Sequence, residues 1–150
     1  MNKITSFTVD HDLLTEGIYV SRIDGDITTY DLRTRVPNSG DFMDTTTAHT
    51  VEHMFATFVR NSEIKDDVIY FGPMGCRTGC YLVMFGDLTS RDVYDLVIDM
   101  CDFVINFEGE IPGASPVECG NYSEQNLNMA KYYIAKYKKD LVENKNFEYK

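Results

Sequence analysis

Two histidines four residues apart, in His49-Thr50-Val51-Glu52-His53, constrain this chain more than any other segment. On an α-helix that spacing stacks both imidazoles on one face, with Glu52 immediately beside the second. Two ring nitrogens so placed can hold a divalent ion at about 2.0–2.1 Å, while the adjacent carboxylate reaches water or substrate as a base. The pattern is H-x-x-E-H, the inverse of H-E-x-x-H. Its flanks predict a helix: Thr45, Thr46 and Thr47 are candidate N-caps, and Ala48, Val51, Phe55, Phe58 and Val59 form an apolar stripe before Arg60 and Asn61. The plainer alternative is that both histidines merely share a half-buried helix face while Glu52 points to solvent. A metal centre requires a third ligand, which the fold must bring from elsewhere in the chain.

The rest of the chain supports an ordinary packed domain. At 150 residues it is read as one domain, 1–150, and a hydrophobic share of 43% with 13% aromatics excludes disorder. A formal net charge of −10 argues against nucleic acid or an anionic membrane surface as partner. Met1 to Ser6 has no apolar leader core, and no run approaches the ~20 apolar residues of a spanning helix, so a cytoplasmic protein is expected. In that reducing compartment Cys76, Cys80, Cys101 and Cys119 are thiols, ligands or nucleophiles rather than disulfide partners.

Ile18 to Ile23 and Ile27 to Val36 are rich in β-branched and aromatic residues and flank Asp24-Gly25, a tight-turn signal, so they predict a hairpin. A second strand pair is expected over Asp67 to Phe71 and Gly79 to Gly86, joined by residues 72–78. A helix is predicted to start at Thr89-Ser90, with Val93, Leu96, Val97, Met100 and Val104 at helical spacing. Another is predicted from near Ser123 to Leu141, with Leu127, Ala130, Ile134, Tyr137 and Leu141 inward. Antiparallel hairpins with three separate helices predict an α+β fold, an antiparallel sheet with helices covering one face.

Several residues outside the histidine segment can carry chemistry. Cys119, in Val117-Glu118-Cys119-Gly120-Asn121, follows the turn-prone residues 112–116 and is a candidate third ligand, giving a His2Cys set with one open position. Spacing alone leaves it equally an ordinary cysteine, 66 residues beyond His53. Cys76 lies in Gly75-Cys76-Arg77-Thr78-Gly79, where glycines permit close approach and an arginine can lower a thiol pKa. That segment is either a reactive loop or simply a turn, and Cys76 with Cys80 can alternatively supply ligands. Cys80 and Cys101 follow strand and helix core patterns. Ser6, Asp10 and His11 form a weak cluster near the N-terminus, and a lone strand arginine such as Arg33 is ordinarily a surface charge.

Taken together, Ser6-Phe7, Asp10-His11, Asp31-Leu32-Arg33, His49 to His53, Pro73 to Gly79 and Glu118-Cys119-Gly120 make a chain that resembles the S-ribosylhomocysteine lyases, which make the precursor of the autoinducer-2 signal. The resemblance implies a metal held by His49, His53 and Cys119, namely ferrous iron, one per subunit, replaceable by zinc or cobalt. It implies Glu52 and Cys76 as the acid/base pair, with Ser6, His11 and Arg33 holding a small-molecule substrate at a homodimer interface. One departure stands out: family members often carry Asp-x-Ser where this chain has Tyr70-Phe71-Gly72. The competing reading is a metal-dependent hydrolase or peptidase, because H-x-x-E-H is also a peptidase signature in which Glu activates water. A non-catalytic protein whose metal only staples the fold would instead show four closed ligands.

Overall fold

The computed structural model describes residues 1–150. Four strands form one antiparallel sheet: β1 (Gly17–Asp24), β2 (Ile27–Arg33), β3 (Val68–Pro73) and β4 (Gly79–Phe85), in the order β1-β2-β4-β3. Both predicted hairpins are present, the first turning at Gly25 with a left-handed φ of 62°. Strand β2 pairs with β4 along its whole length, from Ile27 opposite Phe85 to Arg33 opposite Gly79. The helices are α1 (Thr45–Arg60), α2 (Tyr94–Asn106) and α3 (Leu127–Asn144).

Strand alternation gives the sheet two unlike faces. Ile18, Tyr30, Leu32, Cys80, Leu82 and Met84 lie on one face and join Val51, Met54 and Phe55 of α1, Val97, Met100 and Val104 of α2, and Ala130, Ile134 and Tyr137 of α3 in one buried cluster. Burial of that apolar surface is the main force holding helices to sheet. The other face carries Tyr19, Asp31, Arg33 and Tyr81, in which Tyr19 pairs with Asp31 and Asp31 with Tyr81. The fold is therefore α+β with the helices on one face, as expected from the sequence.

Three boundaries differ from expectation, each because a side chain claims the backbone. Asp44, not a threonine, caps α1; its carboxylate accepts from Thr47 N at 2.9 Å and from the hydroxyls of Thr46 and Thr47. Thr89 and Asp92 bond each other's backbone and side chain, holding residues 89–93 in turns, so α2 begins at Tyr94. Residues 124–126 are engaged by α1: Thr50 Oγ1 donates to Gln125 Oε1 at 2.7 Å and accepts from Asn126 N at 2.8 Å. Helix α3 consequently starts at Leu127, capped by Asn126.

Candidate metal centre and flanking clefts

Helix α1 buries Val51, Met54, Phe55 and Val59, which leaves His49, Glu52 and His53 half-buried along its edge. The two imidazoles meet edge to face, ring centroids 4.6 Å apart. Each is tethered through Nδ1 to a carbonyl of the segment between α2 and α3, His49 to Glu124 O at 2.8 Å and His53 to Pro112 O at 2.7 Å. A carbonyl only accepts, so each Nδ1 carries the proton and each Nε2 keeps a free lone pair, the arrangement that orients metal-binding histidines. Gly113 makes the second tether possible: its φ is left-handed at 74°, and a Cβ there would stand 3.1 Å from His53 Nδ1.

The same segment delivers Cys119. Backbone bonds from Glu118 and Cys119 to Ser115 O close a turn, and Ser115 Oγ donates to Glu118 Oε2 at 2.6 Å. Cys119 Sγ lies 3.3 Å from His49 Nε2, and the donor atoms of His49, His53 and Cys119 all fall within 4.8 Å of one another. Ligand atoms bound tetrahedrally at about 2.0–2.3 Å stand roughly 3.3–3.8 Å apart; the Cys119–His49 distance already has that value, and the three residues together could hold one divalent ion. Of the other cysteines, Cys80 and Cys101 are buried in the core. Burial pushes the Cys80 thiol up to about 12, the opposite of a ligand's environment.

Glu52 and His49 line a cleft of about 600 Å³ whose far wall is Pro73, Met74 and Gly75. Those three residues also wall a second cleft, of about 410 Å³ on the helix-free face of the sheet, which gathers Ser6, His11, Arg33 and Cys76. Ser6, His11, Arg33 and Cys76 thus line one recess and His49 and Glu52 the adjoining one, while Gly75 and Arg77, on either side of Cys76, also line the Glu52 cleft. Arg33 is not the surface charge a strand arginine ordinarily is. It is 3% exposed, and its guanidinium donates to Asp31 Oδ2 at 2.7 Å and to Thr78 Oγ1 at 2.8 Å, with Cys76 Sγ at 3.8 Å. Desolvation pushes the Cys76 thiol up, but hydrogen bonding with Thr78 and the nearby Arg33 charge outweigh it, leaving the thiol below its ordinary value.

Sequence reasoning missed Asp31, Thr78, Tyr81 and Tyr149 in this neighbourhood. A signal existed for Asp31, two residues before Arg33 on a strand and so on the same face. Tyr70 also lines the cleft, its ring folded over Gly72 where any β-carbon would collide with the phenol. An aromatic ring thus occupies the stretch where the sequence departs from the resemblance.

An antiparallel α+β domain with a His2Cys group that could hold a metal ion, and with a carboxylate on the same helix, is the arrangement expected of a metal-binding protein. A model of the S-ribosylhomocysteinase (LuxS) family matches residues 4–148. The chain is 53% identical over 141 residues to an S-ribosylhomocysteine lyase of Finegoldia magna, covering 91% of this chain and 90% of that protein. It is 51% identical over 142 residues to one of Borreliella burgdorferi, with the same coverage of 91% and 90%. To one of Clostridium beijerinckii it is 48% identical over 149 residues, covering 96% and 94%. The chain belongs to the S-ribosylhomocysteinase (LuxS) family.

Proposed function

We propose that this chain is an S-ribosylhomocysteine lyase, a carbon–sulfur lyase that cleaves S-ribosylhomocysteine to homocysteine and 4,5-dihydroxy-2,3-pentanedione, the autoinducer-2 precursor. The observation that carries this reading is the convergence of His49, His53 and Cys119 within 4.8 Å in a chain of this family. The peptidase alternative expects a carboxylate as third ligand, whereas Cys119 completes the set and the neighbouring Glu118 is turned to Ser115.

In this reaction the opened ribose moves its carbonyl from C1 to C2 to C3 before the C5 thioether leaves by β-elimination. Each step removes a proton beside a carbonyl. When bound, a divalent metal supplies a Lewis acid for the negative charge that develops on the sugar oxygens. Glu52 and Cys76 are the proton carriers, each taking a proton from carbon and returning it to the neighbouring carbon or oxygen, so the two migrations are internal isomerisations. The final proton loss expels the sulfur as homocysteine. Arg33 and Thr78 favour the thiolate form of Cys76, and Ser6 and His11, in the same cleft, bind substrate hydroxyls.

Ferrous iron, one per subunit, is the metal of this reading, with zinc or cobalt able to replace it; a His2Cys set suits all three. Four free cysteines are consistent with a cytoplasmic, reducing location. This reading includes a homodimer with active sites at the interface: Cys76 and Arg33 line a cleft that His49 and Glu52 do not, and the His49–Glu52 part of one subunit is taken to face the Cys76–Arg33 part of its partner. Purified ferrous protein given S-ribosylhomocysteine without oxygen is expected to release homocysteine, detected as a free thiol with a disulfide dye. Absence of release would overturn the lyase reading.

A further inference from the structure

Beyond α3 the chain turns back over the sheet. Ile18 N donates to Asn146 O at 3.0 Å, Asn146 Nδ2 donates to Glu16 O at 3.0 Å, and Ser90 Oγ donates to Phe147 O at 2.8 Å, with Phe147 itself buried. These ties bring Tyr149 onto the helix-free face. Its ring stacks on Tyr19, centroids 4.7 Å apart and 16° from parallel, and it lines the same cleft as Ser6, His11, Arg33 and Cys76. Its hydroxyl donates to Asp31 Oδ2 at 2.8 Å.

That oxygen also accepts from Arg33 Nη2 at 2.7 Å, while Asp31 Oδ1 is buried with no partner. The whole of the Asp31 hydrogen bonding therefore converges on one atom, shared between a guanidinium and a phenol. Asp31 pins one arm of the Arg33 fork and Thr78 the other, which aims Nη1 at Cys76. We infer that Tyr149 is a positioning residue of this site, holding the Asp31 carboxylate so that the Arg33 guanidinium stays turned and electrostatically available to the Cys76 sulfur. The inference rests on Cys76 as a proton carrier in the proposed lyase. By donating to Asp31, the phenol absorbs part of the carboxylate's negative charge, which otherwise offsets the arginine's effect on the thiol. Burial, with the Asp31 charge beside it, raises the Tyr149 phenol well above its ordinary value, so it remains a donor at neutral pH.

The test compares the metal-loaded wild type with Tyr149→Phe, which keeps the stack on Tyr19 and loses only the hydroxyl. Alkylation of Cys76 by iodoacetamide, followed against pH by mass spectrometry of the peptide that contains it, reads the thiol without substrate. Loss of one hydrogen bond of this kind is expected to move the alkylation midpoint up by about 0.5–1 pH unit and to lower kcat/KM by about 3- to 10-fold at neutral pH. Tyr149→Ala, which also loses the ring, is expected to show at least the same midpoint shift. A midpoint unmoved in Tyr149→Phe, even with a lower Tm, overturns the inference, as does a shifted midpoint with kcat/KM unaltered across the pH range. If the wild type releases no homocysteine yet Tyr149→Phe still moves the midpoint, the lyase reading falls and the Tyr149–Asp31–Arg33 network stands.

Discussion

At the scale of single residues, surroundings divide tasks among chemically equal thiols. Cys119 lies beside a histidine nitrogen, Cys76 beside a guanidinium and a hydroxyl, and Cys101 is sealed in the core, where burial raises its thiol. Cys76→Ala is expected to keep its metal and lose turnover, and Cys119→Ala to lose metal; elemental analysis of the purified variants checks both. Loss of metal from Cys76→Ala would reverse the assignment. Glu52→Gln is expected to retain metal while turning over at least ~10²-fold more slowly, the low end for a general acid/base group. Because the Cys76 thiol is lowered, its base form accumulates below the ordinary value of 9.0, so the Cys76-dependent rise in rate with pH should level off before that value.

At the scale of elements, the centre depends on how α1 begins and on the segment docked against it. Asp44 caps α1 one turn before His49. Asp44→Ala is expected to cost about 1 kcal/mol, roughly 2–4 °C in Tm for a domain of this size. Hydrogen bonds from Thr46 and Thr47 lower the Asp44 carboxyl, so its contribution is complete above 3.8 and is lost as pH falls through its depressed folded value. Thermal melts of wild type and variant should therefore converge in acid, and a gap that persists there would refute the capping role. Gly113 governs the other side of the centre. A methyl in Gly113→Ala would crowd His53 Nδ1 and strain a left-handed backbone, so metal affinity is expected to fall roughly 10- to 100-fold in a chelator competition.

At the scale of the whole molecule, the proposed interface site requires that each subunit supply one of the two proton carriers. Glu52→Gln and Cys76→Ala, each inactive alone, should restore activity when unfolded and refolded together, because a mixed dimer holds one site with both lesions and one with neither. Random assortment gives about a quarter of wild-type turnover. No restoration despite demonstrated mixed dimers would place both carriers in one subunit and remove the interface from the mechanism.

The sequence by itself determined what depends on near neighbours. Periodicity of two and of 3.6 located all four strands and three helices, Asp24-Gly25 located the first hairpin, and the four-residue interval put His49 and His53 on one face of α1. Those features follow from local backbone geometry, which a short window contains. Tertiary structure decided the rest. Cys119 comes within reach of the two histidines where the carbonyls of Pro112 and Glu124 tether the intervening segment to α1, and the same docking delays α3 until Leu127. Asp31 is a local partner of Arg33, but Thr78, from a distant loop, takes the other arm of the guanidinium, and Tyr149, from beyond α3, bonds the Asp31 carboxylate. Contacts between residues so far apart along the chain depend on where whole elements pack, and no window of local sequence holds that information.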